Sequence, residues 1–158
     1  MKGSGTTLVA SLVRWLNAGT ISISFATVAM SAGAAPSEEE YIKLLQNIVE
    51  TQGGDADTAM RLVVDKSNKK DAADQVALGV ALMRLRNHFT AIEVLTRASE
   101  LAPRNAVAFG SLGTSYSAVD DCEKAIPAFV RAVELDPNNS RAAHWNEFLG
   151  ECRGKIKK

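Results

Sequence analysis

The 158-residue chain is poor in the side chains that do chemistry. It has two cysteines, two histidines and only nine aromatic residues, two Trp, two Tyr and five Phe. His88 and His144 lie far apart with no evident acid or thiol beside either, which leaves no base for nucleophilic catalysis. Two cysteines and the distant His144 are too few ligands for a zinc site. There is no Gly-rich phosphate loop, no Gly-x-Ser-x-Gly turn and no His-Glu-x-x-His pair. Asp120-Asp121 could be paired carboxylates, but a helix cap accounts for them more simply. These absences argue against an enzyme and against any metal, cofactor or small-molecule substrate. Charge of one sign is lacking too: 18 basic and 18 acidic residues cancel, so neither nucleic acid nor an anionic membrane is implied. Several of the few aromatics fall at core places, which leaves no stacking platform for bases.

Charge is also missing locally. Lys2 and Arg14 are the only charges before Glu38, and residues 21–32 form an apolar segment that ends in small residues. Ala32-Gly33-Ala34 offers the small-x-small pattern of a cleavage site, so residues 1–34 read as a secretory signal. An uncleaved membrane anchor at the lower length limit of roughly 20 residues and a plain N-terminus of a cytoplasmic protein stay open beside it. The expected location is therefore periplasmic or secreted, with cytoplasmic as the alternative. The one basic cluster, Arg153, Lys155, Lys157 and Lys158, suits the negative pole of a terminal helix better than a binding tail. Asn138-Asn139-Ser140 fits a glycosylation acceptor, which matters only in a eukaryotic secretory cell.

What the chain does have is a repeat. Leu78-Gly79, Ala91, Ala98, Leu101 and Pro103 recur 34 residues later as Leu112-Gly113, Ala125, Ala132, Leu135 and Pro137. A fixed period of this length signals stacked helix pairs, because one pair cannot bury its own apolar face. The pattern resembles the tetratricopeptide repeat family. The second copy carries Phe109, Leu112-Gly113, Tyr116, Ala125, Phe129, Ala132 and Pro137, as the family does. The first has Gln75, Leu82 and Leu95 where aromatics are usual, but keeps the small residues and the proline. The small residues are the stricter requirement, since larger ones would force the paired helices apart. The resemblance covers residues 72–139 and implies an all-α fold: a right-handed superhelical array of antiparallel helix pairs with a capping helix.

The organisation then follows. Ser37 and Glu40 form a capping box, and Tyr41, Leu44, Leu45, Ile48 and Val49 make one helical face. A second helix over 56–66 would bury Ala59, Met60, Val63 and Val64. Residues 37–71 thus read as a degenerate first unit. Repeat one (72–105) is expected as helices over 73–85 and 90–101, with Arg86-Asn87-His88 as the turn. Repeat two (106–139) is expected as helices over 106–118 and 122–135, with Pro127 delaying the start of the latter or bending it. Residues 140–158 form a capping helix over 140–154 and a basic tail, with Ala142, Ala143, Phe148 and Leu149 inward.

Function must then reside in a surface. In the family that the chain resembles, the first helix of each repeat lines a concave groove for a peptide or helix. Carried over, that face holds Val76, Val80, Met83 and Arg84, then Gly110, Thr114 and Ser117, then His144 and Phe148. It lacks the Lys, Asn and Arg set with which one subclass grips chaperone tails. The alternative is that these residues pack against the upstream helix pair or another copy. Cys122 and Cys152 are expected at the same edge of the stack, either paired or as separate thiols; a bridge would stabilise by roughly 3–4 kcal/mol. The chain reads as a noncatalytic, exported module that binds a protein or peptide to scaffold or assemble an envelope complex. The alternative is an accessory subunit of an enzyme or secretion machine, tethered to a membrane only through an uncleaved N-terminal segment.

Overall fold

The computed structural model describes residues 35–52 and 56–157; the expected leader, residues 53–55 and the last residue lie outside them. Among the described residues there are seven helices and no strand: α1 (Glu38–Gln52), α2 (Ala56–Lys66), α3 (Ala72–Arg84), α4 (His88–Leu101), α5 (Ala106–Ala118), α6 (Cys122–Leu135) and α7 (Ala142–Ile156). Helices α3, α5 and α7 touch in succession and make the inner layer, while α4 and α6 pack outside, each wedged between two inner helices.

The period of 34 is visible in the helix ends. Asp71, Asn105 and Asn139, spaced by that period, each accept a backbone N–H two residues on, from Ala73, Val107 and Arg141 at 2.9–3.0 Å. Within the repeats, Asn87 and Asp121 cap α4 and α6 by accepting the N–H of Thr90 and Lys124. The residue before each of these two caps turns left-handed, Arg86 at φ 62 and Asp120 at φ 59. That sharp turn reverses the chain between paired helices.

The small residues earn their places by contact. A Cβ on Gly79 would lie 2.6 Å from Leu95 Cγ, and one on Gly113 would lie 2.7 Å from Phe129 Cδ1. Gly79/Leu95 and Gly113/Phe129 are the same packing site one period apart, filled once by an aliphatic and once by an aromatic side chain. Ala91, Ala98, Ala125 and Ala132 are fully buried.

Two expectations about helix bounds are corrected, and the suggested effect of Pro127 on a helix start is not seen. His88 and Phe89 belong to α4 and not to the turn, because the Asn87 side chain starts the helix there. Helix α6 has its expected bounds, Cys122–Leu135, and Pro127 does not delay its start; the hydrogen bond that Pro127 cannot donate would have gone to the Glu123 carbonyl, and both residues are exposed, so water can serve it. Helix α7 starts at Ala142, two residues later than expected, since Asn139 ties down the Arg141 N–H first. On α7 Ala143 is exposed, while Trp145, which the sequence reading passed over, is 3% exposed and anchors the cap.

Candidate interaction surface

The inner layer begins with α1, and its docking differs from that of the other inner helices. Ser37 and Glu40 form the capping box: the Ser37 N–H donates to Glu40 Oε2 at 2.7 Å, and the Glu40 N–H to Ser37 Oγ at 3.3 Å. Tyr41 Oη then donates to the buried Asp74 Oδ1 at 2.7 Å, at the start of α3. Glu38, one turn earlier, receives Arg84 Nη1 at 2.7 Å, in the last turn of α3. Side by side in register, Glu38 would lie beside Ala72, about 18 Å from Arg84 along the axis at 1.5 Å per residue. The Arg84 pairing therefore carries the Glu38 side chain away from that register and places it against the far end of α3. Its reach extends further, since Glu38 Oε2 also lies 3.6 Å from Arg141, the N-cap of α7.

Under this turn lies a polar cluster where an aromatic is usual. Asp74 and Gln75 are 2% and 0% exposed. Asp74 accepts from Tyr41 and from the Asn68 N–H, both at 2.7 Å. Gln75 donates to Ser67 Oγ at 2.9 Å and accepts from Arg97 Nη1 at 2.9 Å. Burial pushes the Asp74 carboxyl above the usual carboxylate range, against the lowering effect of its hydrogen bonds. Burial, and then the Asp74 charge, push the Tyr41 phenol well above its usual range.

The residues expected to line the groove are placed as follows. Val80 is 1% exposed, in the cluster that also holds Tyr41, Ile42 and Leu45 of α1; Val76 and Met83 are half-buried against the same cluster. Arg84 is exposed and holds Glu38. Gly110 is buried under Trp145, whose ring a Cβ there would strike. Thr114 is half-buried and its hydroxyl donates to the Gly110 carbonyl at 2.9 Å. Ser117 is half-buried, 3.6 Å from Cys152 Sγ. His144 is exposed beside Glu147, and Phe148 stacks on Phe129 at 6.0 Å between centroids. Val80 and Gly110 are thus walls inside the array, and of the expected groove residues Met83, Thr114 and Ser117 keep part of their surface and His144 most of it. Sequence reasoning missed Arg141 and Glu38; their only signal was opposite charge at positions bordering the face.

Cys122 and Cys152 form a disulfide with Cα atoms 5.1 Å apart. With the Asp120–Lys155 contact at 2.6 Å, it ties the end of α7 to the start of α6. Among the described residues no group of three or more His, Cys, Asp or Glu could hold a metal ion. No helix among them is long and apolar enough to cross a membrane.

No protein-family model matches the sequence, and no curated protein matches it either. Solved structures do. The first tetratricopeptide domain of human RPAP3 is 20% identical, over 76% of this chain and 84% of that one, with TM-score 0.52. The first such domain of Spaghetti (RPAP3), bound to the HSP90 peptide SRMEEVD, is 20% identical over 80% and 100%, with TM-score 0.54. MamA 41-end from Desulfovibrio magneticus RS-1 is 19% identical over 99% and 88%, with TM-score 0.53. By these likenesses, and by its own period of 34, the chain has the all-α tetratricopeptide-repeat fold.

Proposed function

We propose that this chain is a noncatalytic interaction module whose inner face holds a partner peptide or helix, and that after export it scaffolds or helps to assemble an envelope complex. The observation that carries the reading is the inner face itself. On helices α3, α5 and α7, Met83, Thr114 and Ser117 are half-buried and His144 is exposed, beside a packed wall of Val80, Gly110 and Trp145. A rigid backing with small and aliphatic side chains suits an extended apolar segment or an amphipathic helix, whose burial contributes about 25 cal/mol per Å² before the costs of association.

Export is supported by the Cys122–Cys152 bridge, which suits an oxidising compartment. Its sequence motivation, the leader, lies outside the described residues. No cofactor enters this reading, and the balanced charge gives no support for nucleic acid as a partner.

The test is photocrosslinking in cells of the source, with a photoreactive residue at Thr114 and, as control, at the 79% exposed Phe89 of the outer helix α4. One discrete protein adduct from position 114 and none from position 89 is the expected result. Equal adducts from both, or none from position 114, would contradict the reading.

A further inference from the structure

The inner face is already occupied in part, by the chain's own α1. Three observations make that occupation resemble a ligand in its site more than a helix in a stack. The first turn of α1 pairs with both ends of α3, Glu38 with Arg84 in its last turn and Tyr41 with Asp74 in its first. The Glu38 carboxylate sits between guanidinium groups from opposite ends of the inner layer, Arg84 at the end of α3 at 2.7 Å and Arg141 just before α7 at 3.6 Å. Arg84 and Arg141 keep 55% and 42% of their side-chain exposure there, so a competing acid can reach both. Thirdly, α1 fits imperfectly: Asn47 Oδ1 is buried with no hydrogen-bond partner, and Val49 is left 44% exposed. A buried acceptor without a donor opposes docking.

We propose that α1 is a built-in occupant of the partner site, and that the partner is an amphipathic helix with an acidic first turn that takes its place. The partner's acid enters between Arg84 and Arg141, an aromatic follows three residues later toward Asp74, and aliphatic residues take the places of Ile42, Leu45 and Ile48. The charge complementarity that Glu38 displays in cis defines this chemistry. The inference rests on the proposed use of the inner face. Displacement of α1 reduces apparent affinity by the fraction of time the site is free, so loosening α1 strengthens binding.

The probe is a fluorescein-labelled peptide of residues 37–52 with Asn47→Ala, which keeps the acids and the aromatic but removes the unpaired amide. It is added to the full chain, with binding read by anisotropy and site by amide hydrogen exchange. The expected result is binding that speeds exchange of the chain's own residues 42–51 while α5 stays protected. Affinity should fall about tenfold when the peptide's three first-turn Glu, at positions 38 to 40, become Gln, a loss of about 1.4 kcal/mol, and likewise in an Arg84→Gln, Arg141→Gln host. A Glu38→Gln host should bind more tightly than wild type. Binding that leaves exchange of residues 42–51 unchanged, or that is indifferent to the peptide's acids, overturns the proposal, as does no binding at all. A dimer of the unmodified chain that the peptide dissolves would put a second copy in the partner's role and overturn the proposal as stated. Failure here together with a discrete adduct from position 114 would leave the broader reading standing.

Discussion

Repeat one and repeat two share a backbone and fill it differently. At the position of Gln75 the second repeat has Phe109, at Leu82 it has Tyr116, and at Leu95 it has Phe129. The second repeat is held by aromatic packing, with Phe129 fully buried, stacked on Phe148 and pressed on Gly113, and by a disulfide to the cap. The first is held by aliphatic packing, with Leu78, Leu82 and Leu95 fully buried, and by hydrogen bonds from Asp74 and Gln75 that link α3 to α1, to Ser67-Asn68 and to Arg97 of α4. Bulky places tolerate either chemistry. Glycines under a facing side chain, and the caps that start each helix, do not vary in role between the two.

The comparison can be broken from either side. The largest effect is expected at the cap of repeat two: Trp145→Ala empties the contact over Gly110 and should cost about 3–5 kcal/mol in urea unfolding. Reducing the Cys122–Cys152 bridge, which closes a separation of 30 residues, should cost roughly 3–4 kcal/mol. It should loosen α6 and α7 in hydrogen exchange while leaving α3 and α4 protected. Gly113→Ala should cost about 1–3 kcal/mol by overpacking on Phe129, and Gly79→Ala less, since the Leu95 side chain has more freedom to move than a stacked ring.

On the side of repeat one, Tyr41→Phe leaves Asp74 short of a donor and should cost about 1–3 kcal/mol. This change also tests a pH effect. The folded phenol titrates above the value near 10 of an unfolded tyrosine, so above pH 10 the unfolded chain releases a proton that the folded one keeps. Stability should therefore fall as pH rises past 10, and that part of the fall should vanish in Tyr41→Phe. The smallest effect is expected at a cap: Asn105→Ala should cost about 1 kcal/mol, seen as a small drop in melting temperature.

Much of this was legible in the sequence, for physical reasons. The paired glycines and alanines fix how closely helices approach, so their recurrence from Leu78-Gly79 to Leu112-Gly113 carries the stack. The ends were less legible because capping is a local competition. Asn87 and Asn139 each had neighbours that could have capped, and only backbone geometry decides that α4 begins at His88 and α7 at Ala142. The surface was the least legible. Val80 and Gly110 occupy groove positions by register, yet neighbouring helices cover them. The docking of α1 depends on long-range pairs, Glu38 with Arg84 and Arg141, that no local pattern announces.

The central claim is that the inner face is the binding face and that α1 occupies part of it. The most direct measurement places spin labels, through non-natural residues that spare the disulfide, at the exposed positions Glu39 and His144, and reads their separation by electron–electron resonance with and without the acidic helical peptide. The account predicts one short, narrow distribution in the free protein that gives way to a longer one when the peptide binds. A long separation in the free protein, or a short one that bound peptide leaves unchanged, would contradict it.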